Sequence, residues 1–330
     1  MNPSDAEYSR AVDLLRAGEL IGLPTETVYG LGADAANPAA IGKIFAAKGR
    51  PADHPLIVHL PGADWVERWA MEVPAVAWEL AEAFWPGPLT LILKKQPWVP
   101  PEVTGGQDTV GLRVPGHPVA LELLRRFTAT AECPGGIAAP SANRFGRISP
   151  TTAAHVHEEL GQSVALVLDG GPCAVGIEST IVDLSRGSAV VLRPGHIDPA
   201  QLAKVLGVEP RGHEQLDAPR VSGALAAHYA PRTAMRMVAG ERLLNVLLSM
   251  RHRGARCAAL CYNQPPQAGM PHVWRMLPAD PAGYARELYG ALRELDAAGM
   301  DLIVVEAIPE TSSWEAVGDR LRRALTGAGK

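Results

Sequence analysis

Residues 179–194 read STIVDLSRGSAVVLRP. Two apolar, β-branched runs, STIVDL and AVVLRP, flank the turn-forming residues Ser-Arg-Gly-Ser. That spacing is too short for a crossover helix, so it predicts two neighbouring antiparallel strands. A purely parallel, doubly wound sheet is therefore disfavoured. Working outward, ELIGL, LIVHL, LTLILK, TVGLRV, IAAPS and SVALVLD supply further strand candidates between Gly18 and about Leu206. Helical stretches fall between them: Asn37 with Pro38 opens one through Ala47, Pro74 another through Phe84, and Thr151 a third through about Leu160. The expected fold class is α/β, with a twisted mixed sheet in the first domain.

Residues 208–232, VEPRGHEQLDAPRVSGALAAHYAPR, lose periodicity and gather Pro, Gly and charge, which marks a linker. Beyond it AMRMVA, RCAALCY and DLIVVEAI alternate with helical patterns over about 241–252, 281–298 and 314–326. The expected organisation is a catalytic domain over 1–207, a linker or lid over 208–232, and a smaller Rossmann-like parallel α/β domain over 233–330.

The 330 residues are 47% hydrophobic and 20% charged, an ordinary globular composition. Apolar runs such as Leu56 to Leu60 are strand-length, far short of a membrane span. The N-terminus carries acids and no apolar leader, so a cytoplasmic location is expected. Cysteines at 133, 173, 257 and 261 form no close pair and read as reduced packing residues. A net charge of -4 lacks the basic footprint of tight nucleic-acid binding.

The polar residues that interrupt this apolar pattern cluster at strand ends. LPTETVYGLGAD sets Thr25, Thr27 and Tyr29 around one carboxylate, after a strand and ahead of a glycine-rich turn. This suits a ligand site, and it equally suits a turn capped by Thr25. Gly30-x-Gly32-x-x-Ala35 fits a loose dinucleotide fingerprint, but no clear helix opens on it. In KIFAAKGRPADHPLIVHL, Lys48 and Arg50 precede Pro51, where extended backbone lets both cations reach one side and bind an anion. Their other reading is positive charge that suits a helix C-terminus. His54 follows in a loop and His59 in a strand, where a lone histidine is more often a core residue than a ligand.

Arg113 lies within the apolar strand TVGLRV and must be paired or aimed at a pocket, with His117 in the turn beyond. IAAPSANRFGRISPT offers Ser141, Asn143, Arg147 and Ser149 before a helix N-terminus, a plausible phosphate nest. Ser179, Thr180 and Arg193 sit on the two strands quoted first. Lys48, Arg50, Arg113, Arg147 and Arg193 thus make five cations held by apolar or glycine-rich segments. P-loop, zincin, GxSxG and CxxC signatures are missing from the sequence.

PTETVYGLG, the Lys48-x-Arg50 pair, HPLIVH, FWPGPLTLIL, VGLRVPGHP, APSAN, SPT, ESTIVD and LRPG occur in this order from about residue 20 to 205. Together they resemble the YrdC-like threonylcarbamoyl-AMP synthases, and HYAP at 228–231 resembles the linker of their long, two-domain form. The resemblance implies a nucleotidyltransferase that converts L-threonine, bicarbonate and ATP, with Mg2+ accompanying ATP, to threonylcarbamoyl-AMP and pyrophosphate. It implies a catalytic pair, Lys48 and Arg50. By position, Thr27, His59, His117, Ala139 and Ser179 correspond to the threonine pocket. Arg50, His54, Arg113, Ser141, Asn143, Ser149, Arg193 and Tyr229 correspond to the ATP side, and no resident metal site is implied. The partner by resemblance is a separate transferase complex that modifies adenosine 37 of ANN-decoding transfer RNA, without tight RNA binding by this chain.

Two departures stand out: His54 replaces the family's usual Asn, and Val221-Ser222-Gly223 replaces a Pro-Gly in the linker. Other uses of such a chain are a carbamoyl-transfer enzyme, which would require zinc-finger and acylphosphatase-like segments not seen here, and a non-catalytic RNA-binding module. Against the latter stand the acidic net charge and the apolar lining around Thr27.

Overall fold

The computed structural model describes residues 3–129, 135–212, 218–263 and 273–329. The chain divides into two compact units, Met1–Phe145 with Pro150–Ala174 and Glu178–Ala224, and Leu225–Lys330 with Gly146–Ser149 and Val175–Ile177.

The first unit carries ten strands: β1 (Ile21–Leu23), β2 (Gly30–Asp34), β3 (Ile57–His59), β4 (Leu89–Lys94), β5 (Thr109–Arg113), β6 (Ile137–Ala138), β7 (Leu166–Val167), β8 (Thr180–Asp183), β9 (Val190–Arg193) and β10 (Arg211–Gly212). They form one sheet in the order β10-β9-β8-β4-β5-β3-β6-β2-β1-β7. The strands β8 and β9 pair antiparallel, as the stretch 179–194 predicts, with Ile181 opposite Arg193 and Asp183 opposite Val190. Parallel pairs β4/β8 and β3/β5 stand beside antiparallel β4/β5 and β3/β6, so the sheet is mixed.

The segment Gly30–Asp34, read above as a glycine-rich turn, is instead strand β2, paired antiparallel with β1. Glycine weakens a strand on its own, but Leu31 and Ala33 are fully buried in the core with Tyr29, and that packing decides the conformation. The dinucleotide-like fingerprint therefore lies in a strand and forms no phosphate loop. IAAPS and SVALVLD shorten to two-residue strands. The helix expected from Thr151 is capped by Thr152, whose side chain accepts from His155 N, and runs Ala153–Leu160. The unanticipated helix Asp5–Arg16 opens on a capping box between Ser4 and Glu7.

The second unit carries β11 (Ala234–Val238), β12 (Cys257–Cys261), β13 (Val273–Met276) and β14 (Leu302–Glu306). All its strand pairs are parallel, in the order β11-β14-β12-β13. Helices Gly240–His252, Pro281–Ala297 and Glu315–Gly327 alternate with them. Its core gathers Leu243, Leu247, Ala259 and Val304 with Cys257 and Cys261. Cys173 is buried in the first unit's core; Cys133 and the linker residues 213–217 lie outside the described residues. No helix among the described residues is long and apolar enough to cross a membrane.

Candidate active site

The helix Pro38–Lys48 starts at Asn37, whose Oδ1 accepts from Ala39 N and Ala40 N at 3.1 and 3.2 Å. It stops at Gly49, which adopts φ +62°, a left-handed turn open to glycine at little cost. This turn, not an extended pair, separates Lys48 from Arg50. Lys48 is fully buried, and its ammonium donates to the carbonyls of Ser141 and Asn143. Burial and the neighbouring Arg50 charge hold the Lys48 amine well below its ordinary pKa. Its geometry is that of a clamp on the loop 141–143, and Phe145 N donates back to Lys48 O at 2.8 Å.

A second cluster forms where the turn after β1 faces the end of β5. Thr25 Oγ1 accepts from Thr27 N and Val28 N and donates to Val28 O at 2.6 Å, which closes the turn. The turn thereby presents Glu26 and Thr27 to Arg113. The buried Arg113 guanidinium donates to Glu26 Oε1 at 2.6 Å, to Thr27 Oγ1 at 3.0 Å and to the Gly87 carbonyl at 3.2 Å. Glu26 Oε2 has no hydrogen-bond partner among the described residues.

Parallel pairing of β3 and β5 sets His59 opposite Arg113. Burial, with a contribution from the Arg113 charge, lowers the His59 pKa to about 3, so the ring is neutral at physiological pH. His117 caps the helix Pro118–Thr128 by accepting from Val119 N at its Nδ1. Burial lowers its pKa as well. Its ring lies so close to Gly170 that a Cβ there would sit 2.5 Å from His117 Cε1. Tyr29 fixes this loop: its hydroxyl donates to Gly171 O at 2.7 Å and accepts from Gly170 N at 3.2 Å.

The third cluster gathers on β8 and β9. Arg193 donates to Ser179 O through Nε at 3.0 Å and through Nη2 at 2.9 Å, and to Ser179 Oγ at 3.0 Å. Ser179 Oγ lies 2.8 Å from Thr90 Oγ1 of β4. Arg193 Nη1 also donates to the Ser222 carbonyl at 2.8 Å. The Ser222 hydroxyl meets both terminal nitrogens of Arg50 at 3.4 Å, while Arg50 Nη2 donates to Pro55 O at 3.0 Å. The linker residue that departs from the family pattern thus touches two of the candidate anion-binding arginines.

Arg50, Arg113 and Arg193 are all more than nine-tenths buried. A guanidinium keeps its charge at any accessible pH; Glu26 balances that of Arg113, so it is the charges of Arg50 and Arg193 that favour anionic ligands, while His59 opposite Arg113 is neutral. His54 packs edge-on against Phe145, its ring centroid 5.4 Å away. Burial and the Arg50 charge lower its pKa. Ala139, next to β6, is buried and donates its N–H to Ile57 O. Two other expected members, Ser149 and Tyr229, belong to the second unit. The Tyr229 ring is buried there, stacked on Tyr289 at 5.6 Å with the Arg320 guanidinium 5.4 Å from its centroid. Arg147 also belongs to the second unit and pairs with Asp296 at 3.5 Å. The sequence does not single out Thr90, and it marks Glu26 only as the carboxylate of its turn and Ser222 only as part of the linker departure. Among the described residues no group of three or more His, Cys, Asp or Glu side chains is placed to hold a metal ion.

Fold and site together define an α/β protein with an extensive mixed sheet whose strand ends and adjoining turns hold buried arginines. Residues 13–195 match the Sua5/YciO/YrdC family, described as "Telomere recombination", and residues 197–326 match "Threonylcarbamoyl-AMP synthase, C-terminal domain". The chain belongs to the Sua5/YciO/YrdC family. It is 38% identical to the threonylcarbamoyl-AMP synthase of Bacillus subtilis over 99% of this chain and 95% of that one. The Pyrococcus abyssi protein of the same name is 38% identical over 95% and 92% of the two chains. A crystal structure of P. abyssi Sua5 complexed with L-threonine matches with a TM-score of 0.90 at 36% identity, covering 99% of this chain and 96% of that one.

Proposed function

We propose that this chain makes threonylcarbamoyl-AMP from L-threonine, bicarbonate and ATP, releasing pyrophosphate and water. The observation that carries the reading is the Arg113 fork, which joins the hydroxyl-bearing turn Thr25–Thr27 to the arginine-lined end of the sheet. Its near full-length relatives bear the name of this activity, and the relative complexed with L-threonine supports threonine as substrate.

In this reading threonine sits by Thr27, His59, His117, Ala139 and Ser179. Its amine captures bicarbonate, losing water to form a carbamate. The carbamate oxygen attacks the α-phosphorus of ATP in line, and pyrophosphate leaves. Such a step depends on positioning and charge neutralisation. Arg50 and Arg193 supply positive charge toward the phosphates, Arg113, balanced by Glu26, holds Thr27 in place, and Lys48 places Ser141 and Asn143. Lys48 is therefore a positioning residue, and His54 is the remaining ATP-side candidate of the first unit. Mg2+ arrives as part of the ATP substrate, held by its phosphates. The neutral His59 avoids placing a second cation beside Arg113. Discrimination against serine rests on one methyl group, worth about 1–3 kcal/mol, so some serine is used. The adenylate is handed to a separate transferase that modifies adenosine 37 of ANN-decoding transfer RNA.

The test is pyrophosphate release by purified protein given ATP and bicarbonate, with and without L-threonine, and mass spectrometry of the adenylate. Threonine-dependent release is expected; release that ignores threonine overturns the reading.

A further inference from the structure

The second unit carries a cationic groove that the adenylation site does not use. It has a volume of about 570 Å3 and lies between the edge strand β11 and the helix Gly240–His252. Arg236 on β11, Arg242 and Asn245 on the helix, and Arg253 just past its end line it, and all four are exposed. No carboxylate is among the lining residues. The three arginines also make no ion pair with a described residue, unlike Arg256, which pairs with Asp301 at 3.3 Å.

Charge is divided unevenly along the chain. Residues 225–330 hold 13 Lys and Arg against 10 Asp and Glu, so they are net positive in a chain whose net charge is -4. Local positive charge of this kind attracts polyanions even when the whole molecule is acidic. Spacing then selects among anions. Arg242 and Arg253 are eleven residues apart, about 16 Å along a helix at 1.5 Å per residue. A ligand with several phosphates in a row matches that spread better than a lone phosphate, and a nucleic-acid strand, with a phosphate every 3.4 Å or so of its axis, presents several along it.

We infer that this groove docks the phosphodiester backbone of RNA through Arg236, Arg242 and Arg253. The choice of RNA over DNA rests on the proposed function, whose product is destined for RNA; the groove's preference for an extended polyanion does not. Three phosphate contacts give weak binding, with a Kd of about 10⁻⁴ to 10⁻⁶ M, and affinity that falls about 20- to 40-fold between 50 and 200 mM salt. Such an encounter is compatible with a chain that lacks tight RNA binding and hands over a small intermediate.

Fluorescence anisotropy of a labelled ANN-decoding transfer RNA transcript, titrated with the full chain at both salt concentrations, tests this. The triple variant Arg236→Ala/Arg242→Ala/Arg253→Ala is expected to lose at least tenfold in affinity and most of the salt dependence. Arg256→Ala serves as a control that binds like the parent, and thermal unfolding confirms that the triple variant is folded. Threonine-dependent pyrophosphate release is expected to be unchanged in it, so failure of the adenylation reading and failure of this one are separately visible. Undiminished RNA binding by the triple variant overturns the inference. Equal binding of a poly-glutamate of matched charge overturns it in favour of an acidic protein partner, and equal binding of duplex DNA overturns the choice of RNA.

Discussion

Replacing Arg113 by lysine keeps the charge but removes the planar fork. Arg113 reaches Glu26, Thr27 and Gly87 from three different nitrogens, and one ammonium that follows Glu26 leaves the other two contacts unmade. Each hydrogen bond to a charged group contributes about 1.5–3 kcal/mol, so the loss is at least about 3 kcal/mol. If that stabilisation is expressed in the transition state, kcat/KM falls about 150-fold. Arg113→Met goes further and strands the buried Glu26 carboxylate, at a cost in stability of about 3–5 kcal/mol. The double variant Arg113→Met/Glu26→Gln removes the stranded charge and is expected to recover much of the stability and none of the turnover. Urea unfolding and initial rates of pyrophosphate release, measured on all variants, separate the two effects. An Arg113→Lys protein with kcat/KM within about threefold of the parent would refute the role of the fork, as would recovery of turnover in the double variant.

Three further outcomes follow from named contacts. His59 stays neutral when folded down to about pH 3 but takes a proton near pH 6.5 when unfolded, so its contribution is intact above pH 6.5 and declines below it, by about 2 kcal/mol at pH 5. His59→Gln should lose that part of the decline in urea unfolding at pH 7.5 and 5; an identical pH dependence in both proteins contradicts the assignment. Ser222→Ala frees Arg50 from two weak contacts and should lower the KM for ATP about two- to tenfold, whereas a raised KM means that the hydroxyl assists ATP binding and does not compete with it. Gly170→Ala would drive a methyl group into the His117 ring and Pro24, and overpacking of about 1–3 kcal/mol should raise the KM for threonine tenfold or more; an unchanged value removes His117 from the threonine recess.

Strands with continuous apolar runs were legible because burial on both faces writes itself into composition: Leu89–Lys94 and Thr109–Arg113 occur where LTLILK and TVGLRV predict them. Gly30–Asp34 was not, since its glycines carry no strand preference and its pairing with β1 comes from tertiary context. Val273–Met276, with two exposed residues among four, left too weak a pattern. At the site, Arg113 announced itself as a charge among apolar neighbours, but its partner Glu26 lies 87 residues away. Ser222 is 172 residues from Arg50, in a stretch with no periodicity. Lys48 was legible as a cation near an anion site, whereas its use as a clamp on two carbonyls is visible only once the loop 141–143 is folded against it.

Among the described residues the sheet ends at both margins in two-residue strands, β10 at one side and β7 at the other. So short a margin offers an incoming strand only one or two main-chain hydrogen bonds. Arg211 on β10 is exposed and adds a charge that a neighbouring chain would have to accommodate. An extensive sheet of this kind, which would otherwise be a template for amyloid-like growth, is thereby protected against edge-to-edge aggregation.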